Sequence, residues 1–303
     1  MNHEANVSDF LFGETDLPVP DWDRAAEWMQ LYVDEADQHR VWTELALQWL
    51  DLMNERFENR YQILETPHFL LFGFPEEIRL QSLGRFAEGC RRDLLRSLPG
   101  MAKFTAPGKT PILIFSGNDS YYAHVSDYHA DGEYGGSSGM HFPSRYDHIA
   151  LLKLYNLDLF PSLAHELTHV SLSHLELPLW LEEGLTQLFE HDLGNKPFAL
   201  DPKEVSEQKI YWRQEGLEQF WSGIGFSSPG DVQKYSYQLA EILLRLLLTD
   251  YQPRWFGFDK SPQQALINFL LHAKRDDAGE AAAREYLGLS LANIAAKSLG
   301  QPA

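Results

Sequence analysis

Between residues 21 and 60 the apolar side chains Trp28, Leu31, Tyr32, Val41, Leu45, Trp49, Leu52 and Met53 recur at helical intervals. That spacing keeps them on one face of a turn of about 3.6 residues and predicts two helices, opened by Asp21 or Asp23 as the cap. Residues 61–65 and 68–72 are short runs of strand-forming side chains parted by Thr66-Pro67, and read as extended segments. Helical spacing returns over 75–98 and stops at Leu98-Pro99-Gly100. Ile112-Leu113-Ile114-Phe115, bounded by Pro111 and Gly117, reads as a buried strand, and 148–152 reads as another. The stretch between them, 116–145, is rich in Gly, Ser and Tyr and reads as a loop. Helices are predicted over 162–174, 179–192 and 235–248, and the tail adds helical segments near 265–273, 278–286 and 289–297. Residues 1–20 read as irregular and end in Pro18-Val19-Pro20. With strands early, helices late and no internal repeat, the pattern is α+β.

Charge and composition remove several function classes. A net charge of −19 over 303 residues argues against the basic footprint that nucleic acids require and against docking on anionic membranes. No apolar run reaches membrane-spanning length; the nearest, 242–248, is broken by Arg245. Met1-Asn2-His3-Glu4 lacks the basic and apolar parts of a signal peptide, which leads to the expectation of a cytoplasmic protein. Cys90 is the only cysteine, so the chain has no intrachain disulfide and no cysteine-rich zinc site.

The chemistry concentrates in His165-Glu166-Leu167-Thr168-His169. On a helix, residues i and i+4 share a face, so His165 and His169 can ligate one ion. Glu166 lies about 100° round the helix, where a carboxylate can act on a bound water. Ser162 is the expected N-cap. The ion needs a third protein ligand. A histidine in the extended metzincin pattern would fall at position 175, which is Leu175; His174 misses by one residue and points away from His165 on the helix wheel. Glu182 and Glu183, on the helix that Pro178 introduces, are candidates, as are the more distant Glu176 and His191. Glu183 heads a polar face that continues through Thr186, Gln187 and Glu190, so Gln187 or Glu190 is placed to orient a ligand from behind.

His165-Glu166-Leu167-Thr168-His169 followed by Trp180-Leu181-Glu182-Glu183-Gly184-Leu185 resembles the gluzincins, specifically the bacterial peptidase MA-like proteins, which are similar to the thermolysin and aminopeptidase superfamily. The likeness extends more weakly over about residues 61–300. It implies a zincin (thermolysin-like) catalytic domain over 61–250 with a small β-sheet and metal helices across 162–192. A helical subdomain over 251–303 and an N-terminal helical extension over 1–60 complete the expected organisation. It implies one zinc ion held by His165, His169 and Glu183, the glutamate immediately before glycine, with Glu166 as general base. It also implies an oxyanion-stabilising tyrosine on the following helix, where Tyr237 fits best and Tyr235 is the reserve. Finally it implies an edge strand above the metal that holds an extended peptide; His148, Ile149 and Ala150 are the expected residues, with the glycine-rich 132–139 stretch as a lid.

The expected activity is zinc-dependent hydrolysis of peptide bonds in a peptide or protein substrate. No Gly-x-Met-x-Asn exopeptidase signature precedes the motif, which favours endopeptidase action. Two alternatives share the same ligands: a non-catalytic zinc- and peptide-binding module, and a zinc hydrolase of a non-peptide amide. Retention of Glu166 and Tyr237 speaks against the first, because neither is needed to hold zinc. Gly135-Gly136-Ser137-Ser138-Gly139 fits the nucleophile-elbow pattern in letters only, for no apolar strand precedes it and no helix follows. Gly108-Lys109-Thr110 likewise lacks the first glycine and the helix of a phosphate-binding loop.

Overall fold

The computed structural model describes residues 5–13, 15–74, 79–129, 137–154, 158–199, 201–251 and 261–300. The architecture is α+β, and the chain divides into two compact units, 1–97 with 103–171 and 98–102 with 172–303. No helix among the described residues is long and apolar enough to cross a membrane.

The first unit is built on five strands: β1 (Gln62–Glu65), β2 (Phe69–Gly73), β3 (Thr110–Phe115), β4 (Gly139–Phe142) and β5 (His148–Leu152). Their spatial order is β1-β2-β3-β5-β4. The inner pairs β2–β3 and β3–β5 are parallel and the outer pairs antiparallel, with Leu71 opposite Ile112, Leu113 opposite Ala150 and His141 opposite Ile149. β2, β3 and β5 are buried along their whole length, as expected of central strands covered on both faces.

Side chains alternate between the two faces of a strand, and here the faces carry different partners. Leu70, Phe72, Leu113, Phe115, Ala150 and Leu152 join one buried cluster with Trp22, Trp42 and Trp49. Those tryptophans come from α1 (Trp22–Tyr32) and α2 (Glu35–Arg56). Asp21 caps α1 by accepting from Arg24 N. The opposite face takes α3 (Leu80–Ser97), whose Gly84 sits against Leu64, Thr66 and Leu71. Aromatic side chains of α1 and α2 thus fill one of the sheet's two cores. The stretch from Val7 to Pro18, expected to be irregular, is tied down at the residues described there. Val7–Phe10 forms a 3-10 turn, Val7 N donates to Gln48 Oε1 at 2.8 Å, and Trp49 Nε1 donates to the Pro18 carbonyl at 2.8 Å.

The stretch expected as a loop over 116–145 contains a helix, α4 (Asn118–Tyr128), and the strand β4. The expected start of the 75–98 helix and residues 132–136 of the expected lid lie outside the described residues. α5 (Leu159–Leu172) starts before Ser162, with Asp158 Oδ1 accepting from Phe160 N at 3.1 Å, so Ser162 is not its cap.

In the second unit α6 (Leu179–Leu193) packs against α10 (Asp231–Asp250). A Cβ on Gly184 would lie 2.9 Å from the Ala240 carbonyl oxygen, so glycine permits the close crossing. Between them run α7 (Pro202–Glu215), α8 (Glu218–Trp221) and α9 (Ile224–Ser227), for which the periodicity predicted nothing. α11 (Ser261–His272), α12 (Glu280–Ala282) and α13 (Leu291–Leu299) close the chain, with a π turn at Ala283–Leu287. Trp180 is fully buried and donates from Nε1 to the Ala278 carbonyl at 2.9 Å.

One polar pair lies inside the tryptophan-lined core. His124 and His148 are fully buried, with Nε2 atoms 2.9 Å apart and both Nδ1 atoms without a hydrogen-bond partner among the described residues. Trp49, Phe115, Tyr128 and Phe142 surround them. Burial pushes the His124 imidazole down to about 3. Burial, then His124 and His141, pushes His148 well below its ordinary value. The folded pair stays neutral at pH values where the unfolded chain takes up protons. Its stabilising contribution is complete above about pH 6.5 and is lost progressively as the pH falls toward the folded values. Each such histidine steepens the acid loss by up to about 1.4 kcal/mol per pH unit. His124→Gln is expected to make the fall in urea-unfolding free energy between about pH 6.5 and 5 shallower than in wild type. An unchanged slope would show that this pair does not set the acid response.

Candidate metal centre

α5 places its two motif histidines one turn apart and half buried. Their Nε2 atoms lie 3.2 Å apart with the rings at 64°. Two nitrogens on one tetrahedral zinc, each bonded at about 2.0–2.1 Å, stand about 3.3 Å apart. The imidazoles therefore converge as two ligands of one ion would. A Glu183 carboxylate oxygen joins them, the three ligand atoms lying within 4.8 Å of one another. His165, His169 and Glu183 could thus hold a metal ion, and no second group of His, Cys, Asp or Glu among the described residues meets the same spacing.

The other ligand candidates are engaged elsewhere. Glu182 lies 3.4 Å from Arg275 Nη2. His191 Nδ1 is 2.8 Å from the Gln187 carbonyl and 3.0 Å from the buried Glu241. Glu176 is exposed, and His174 is exposed beyond the end of α5. The Thr186 hydroxyl reaches Glu183, its one proton shared between the Glu183 carbonyl at 2.9 Å and Oε2 at 3.2 Å. Gln187 and Glu190, expected to support a ligand, bond to each other at 3.2 Å, and Glu190 also pairs with Lys196 at 3.0 Å. A threonine three residues after the ligand is within reach of its carboxylate, a local signal that sequence reading had available.

Glu166 is 6% exposed and Glu183 7%. Glu166 points at the start of β4: a Cβ on Gly139 would stand 2.9 Å from its Oε1 and 3.1 Å from Leu151 Cδ2. Gly139, opposite Leu151 in the ladder, faces α5, whereas His148 stacks on Phe142 within the other core at 4.6 Å. The edge-strand expectation is corrected here. His148, Ile149 and Ala150 belong to β5, which is paired on one side with β3 and on the other with β4. An interior strand has no free backbone groups to offer a peptide. The strand at that margin of the sheet is β4.

Tyr237 and Tyr235 diverge on α10. Tyr235 packs its ring on Tyr211, with centroids 5.3 Å apart, and Tyr237 packs on Phe226 at 5.2 Å. Tyr237 shares a helical stripe with Ala240 and Leu244, the residues that meet Gly184 of α6. Of the remaining histidines in this region, His141 pairs with Asp147 at 3.1 Å. Ser137, the serine of the elbow-like pattern, bonds to Tyr121 and the Gly139 carbonyl, each at 2.7 Å.

Compared with known proteins, the chain matches no family model and no curated protein, so the metal assignment stands on geometry. That geometry has measurable consequences. His169→Ala and Glu183→Ala are expected to lose the metal, and Glu182→Ala to keep it. Thr186→Val should weaken metal affinity by about 10- to 100-fold, the usual cost of removing a group that orients a ligand. Chelator competition on the purified variants measures this, and full retention by Glu183→Ala would overturn the ligand set.

Proposed function

We propose that this chain is a zinc-dependent peptidase of the gluzincin kind, cleaving peptide bonds in an extended peptide or protein segment. The observation that supports it most is the convergence of the His165 and His169 Nε2 atoms at 3.2 Å, with Glu183 completing a ligand set and a buried Glu166 beside them. Two histidines one helix turn apart and a carboxylate from the next helix match the donor set of a hydrolytic zinc site, and the intervening glutamate is available as its base.

Zinc bound there would supply Lewis acidity, lowering the pKa of a water toward neutrality and polarising the scissile carbonyl. The protein's own groups do the rest. Glu166 takes the proton from the attacking water and returns it to the leaving amine. Tyr237, on the α10 stripe that meets α6, donates its hydroxyl to the oxygen on which negative charge develops. Thr186 orients the Glu183 carboxylate. β4 supplies the peptide-binding edge: Leu152 N donates to the Ser138 carbonyl at 2.8 Å, so the alternate residues Gly139 and His141 turn their backbone groups away from β5. An extended substrate adds to that edge as one more strand, and Glu166 lies beside the same strand.

Elemental mass spectrometry of wild type and His169→Ala, purified without added metal, tests the metal. Near-stoichiometric zinc in the first and none in the second is the expected result. A peptide-library screen then tests the activity. Glu166→Gln should abolish cleavage and keep its zinc, and Tyr237→Phe should lower kcat by about 10²-fold. Zinc in wild type without cleavage of any peptide would overturn the peptidase reading in favour of a binding module or a different amide substrate.

A further inference from the structure

The margin strand β4 begins with a directed chain of hydroxyls. Ser137 has one hydroxyl proton, and it goes to the Gly139 carbonyl oxygen 2.7 Å away. The 2.7 Å contact between Ser137 Oγ and Tyr121 Oη is therefore donated by the tyrosine. Tyr121 is fully buried. Burial raises its hydroxyl pKa, the Ser137 hydrogen bond opposes this, and the negative charge of Glu166 raises it further, so Tyr121 remains a donor. The chain runs from α4, through Ser137, to the one carbonyl that Gly139 turns away from β5.

The other side of Gly139 is filled by Glu166. A side chain there would meet Oε1 at 2.9 Å and Cγ at 3.3 Å. Gly139 is not in the positive-φ region, so what the residue contributes is space and not an unusual backbone. The Glu166 carboxylate thus rests on a bare Cα whose carbonyl is anchored by the Ser137 hydroxyl, itself held by Tyr121. A general base must be held at a fixed distance and angle to the water it deprotonates, and small displacements are expensive in rate.

We propose that Gly139, anchored by Tyr121 and Ser137, is the seat that positions Glu166. The inference rests on the reading of Glu166 as the base, and its test has one readout that does not depend on turnover. That readout is a thermal-melting cycle on the full chain with Gly139→Ala, Glu166→Ala and the double variant. Gly139→Ala should lower Tm by about 3 °C or more in the wild-type background. In the Glu166→Ala background the loss should be less than about half as large, because the truncated side chain leaves room for the new methyl. Equal losses in both backgrounds would remove the seat. The second readout is kinetic. Ser137→Ala, which adds no bulk, should lower kcat by about tenfold with KM within about twofold and zinc content unchanged. An unchanged kcat would overturn the anchoring role. A wild type that holds no zinc or cleaves nothing would sink the peptidase reading, and the melting cycle would still decide whether Gly139 seats the carboxylate.

Discussion

Two half-buried imidazoles and a buried carboxylate, those of His165, His169 and Glu183, are drawn together here. Glu166 and Glu183 are both buried, and an ionised carboxylate out of water is stable only beside compensating charge or donors. A cation held by His165, His169 and Glu183, the group that could bind one, would provide that compensation. α5 lies on the sheet face that the tryptophans do not occupy, since Gly139 turns toward Glu166 whereas Met140 and Phe142 join the tryptophan core. On α6 the Thr186 hydroxyl reaches the Glu183 carboxylate from within the same helix.

Space at two glycines is the means. Gly184 lets the α6 backbone come within touching distance of Ala240 on α10, immediately after the ligand Glu183. Gly139 leaves the volume that the Glu166 carboxylate fills. Neither glycine has a positive φ, so in both cases the missing Cβ is what matters. Protein interiors are packed too densely to absorb a methyl group at 2.9 Å from a neighbour without moving something. At these two positions, what would move is the α6–α10 contact or the Glu166 side chain.

How much of this was legible depends on how local each determinant is. His165, Glu166 and His169 could be read at once, since one helical turn brings them together. α1, α2, β1, β2, β3 and β5 announce themselves through strong apolar periodicity. α4 does not, because its buried stripe is Tyr121, His124 and Val125, two of which look polar. α7 was silent for a related reason: only Gln208 and Trp212 of its fourteen residues are buried. The edge strand was misassigned because strand order is a tertiary property. β5 is the last strand before the motif, but β4, only four residues long, folds back antiparallel along it and takes the margin. Gln187 and Glu190 share a face with Glu183 by helical spacing, and on that same face the shorter Thr186 also reaches the carboxylate.

The sheet also explains why histidines so close in sequence have different fates. Gly139 and His141 alternate onto the α5 side of β4, where Glu166 lies, whereas Met140 and Phe142 belong to the tryptophan core. In the register, His148 stands opposite Phe142 and shares its side of the sheet. A shift of one residue in β4 or β5 would exchange these environments, moving an imidazole across the sheet between the aromatic cage and the face that carries Glu166. The neutral His124–His148 pair is thus a consequence of the same register that aims Gly139 at Glu166. The cage that shields the pair on one face and the seat for the carboxylate on the other are set by a single alignment of two short strands.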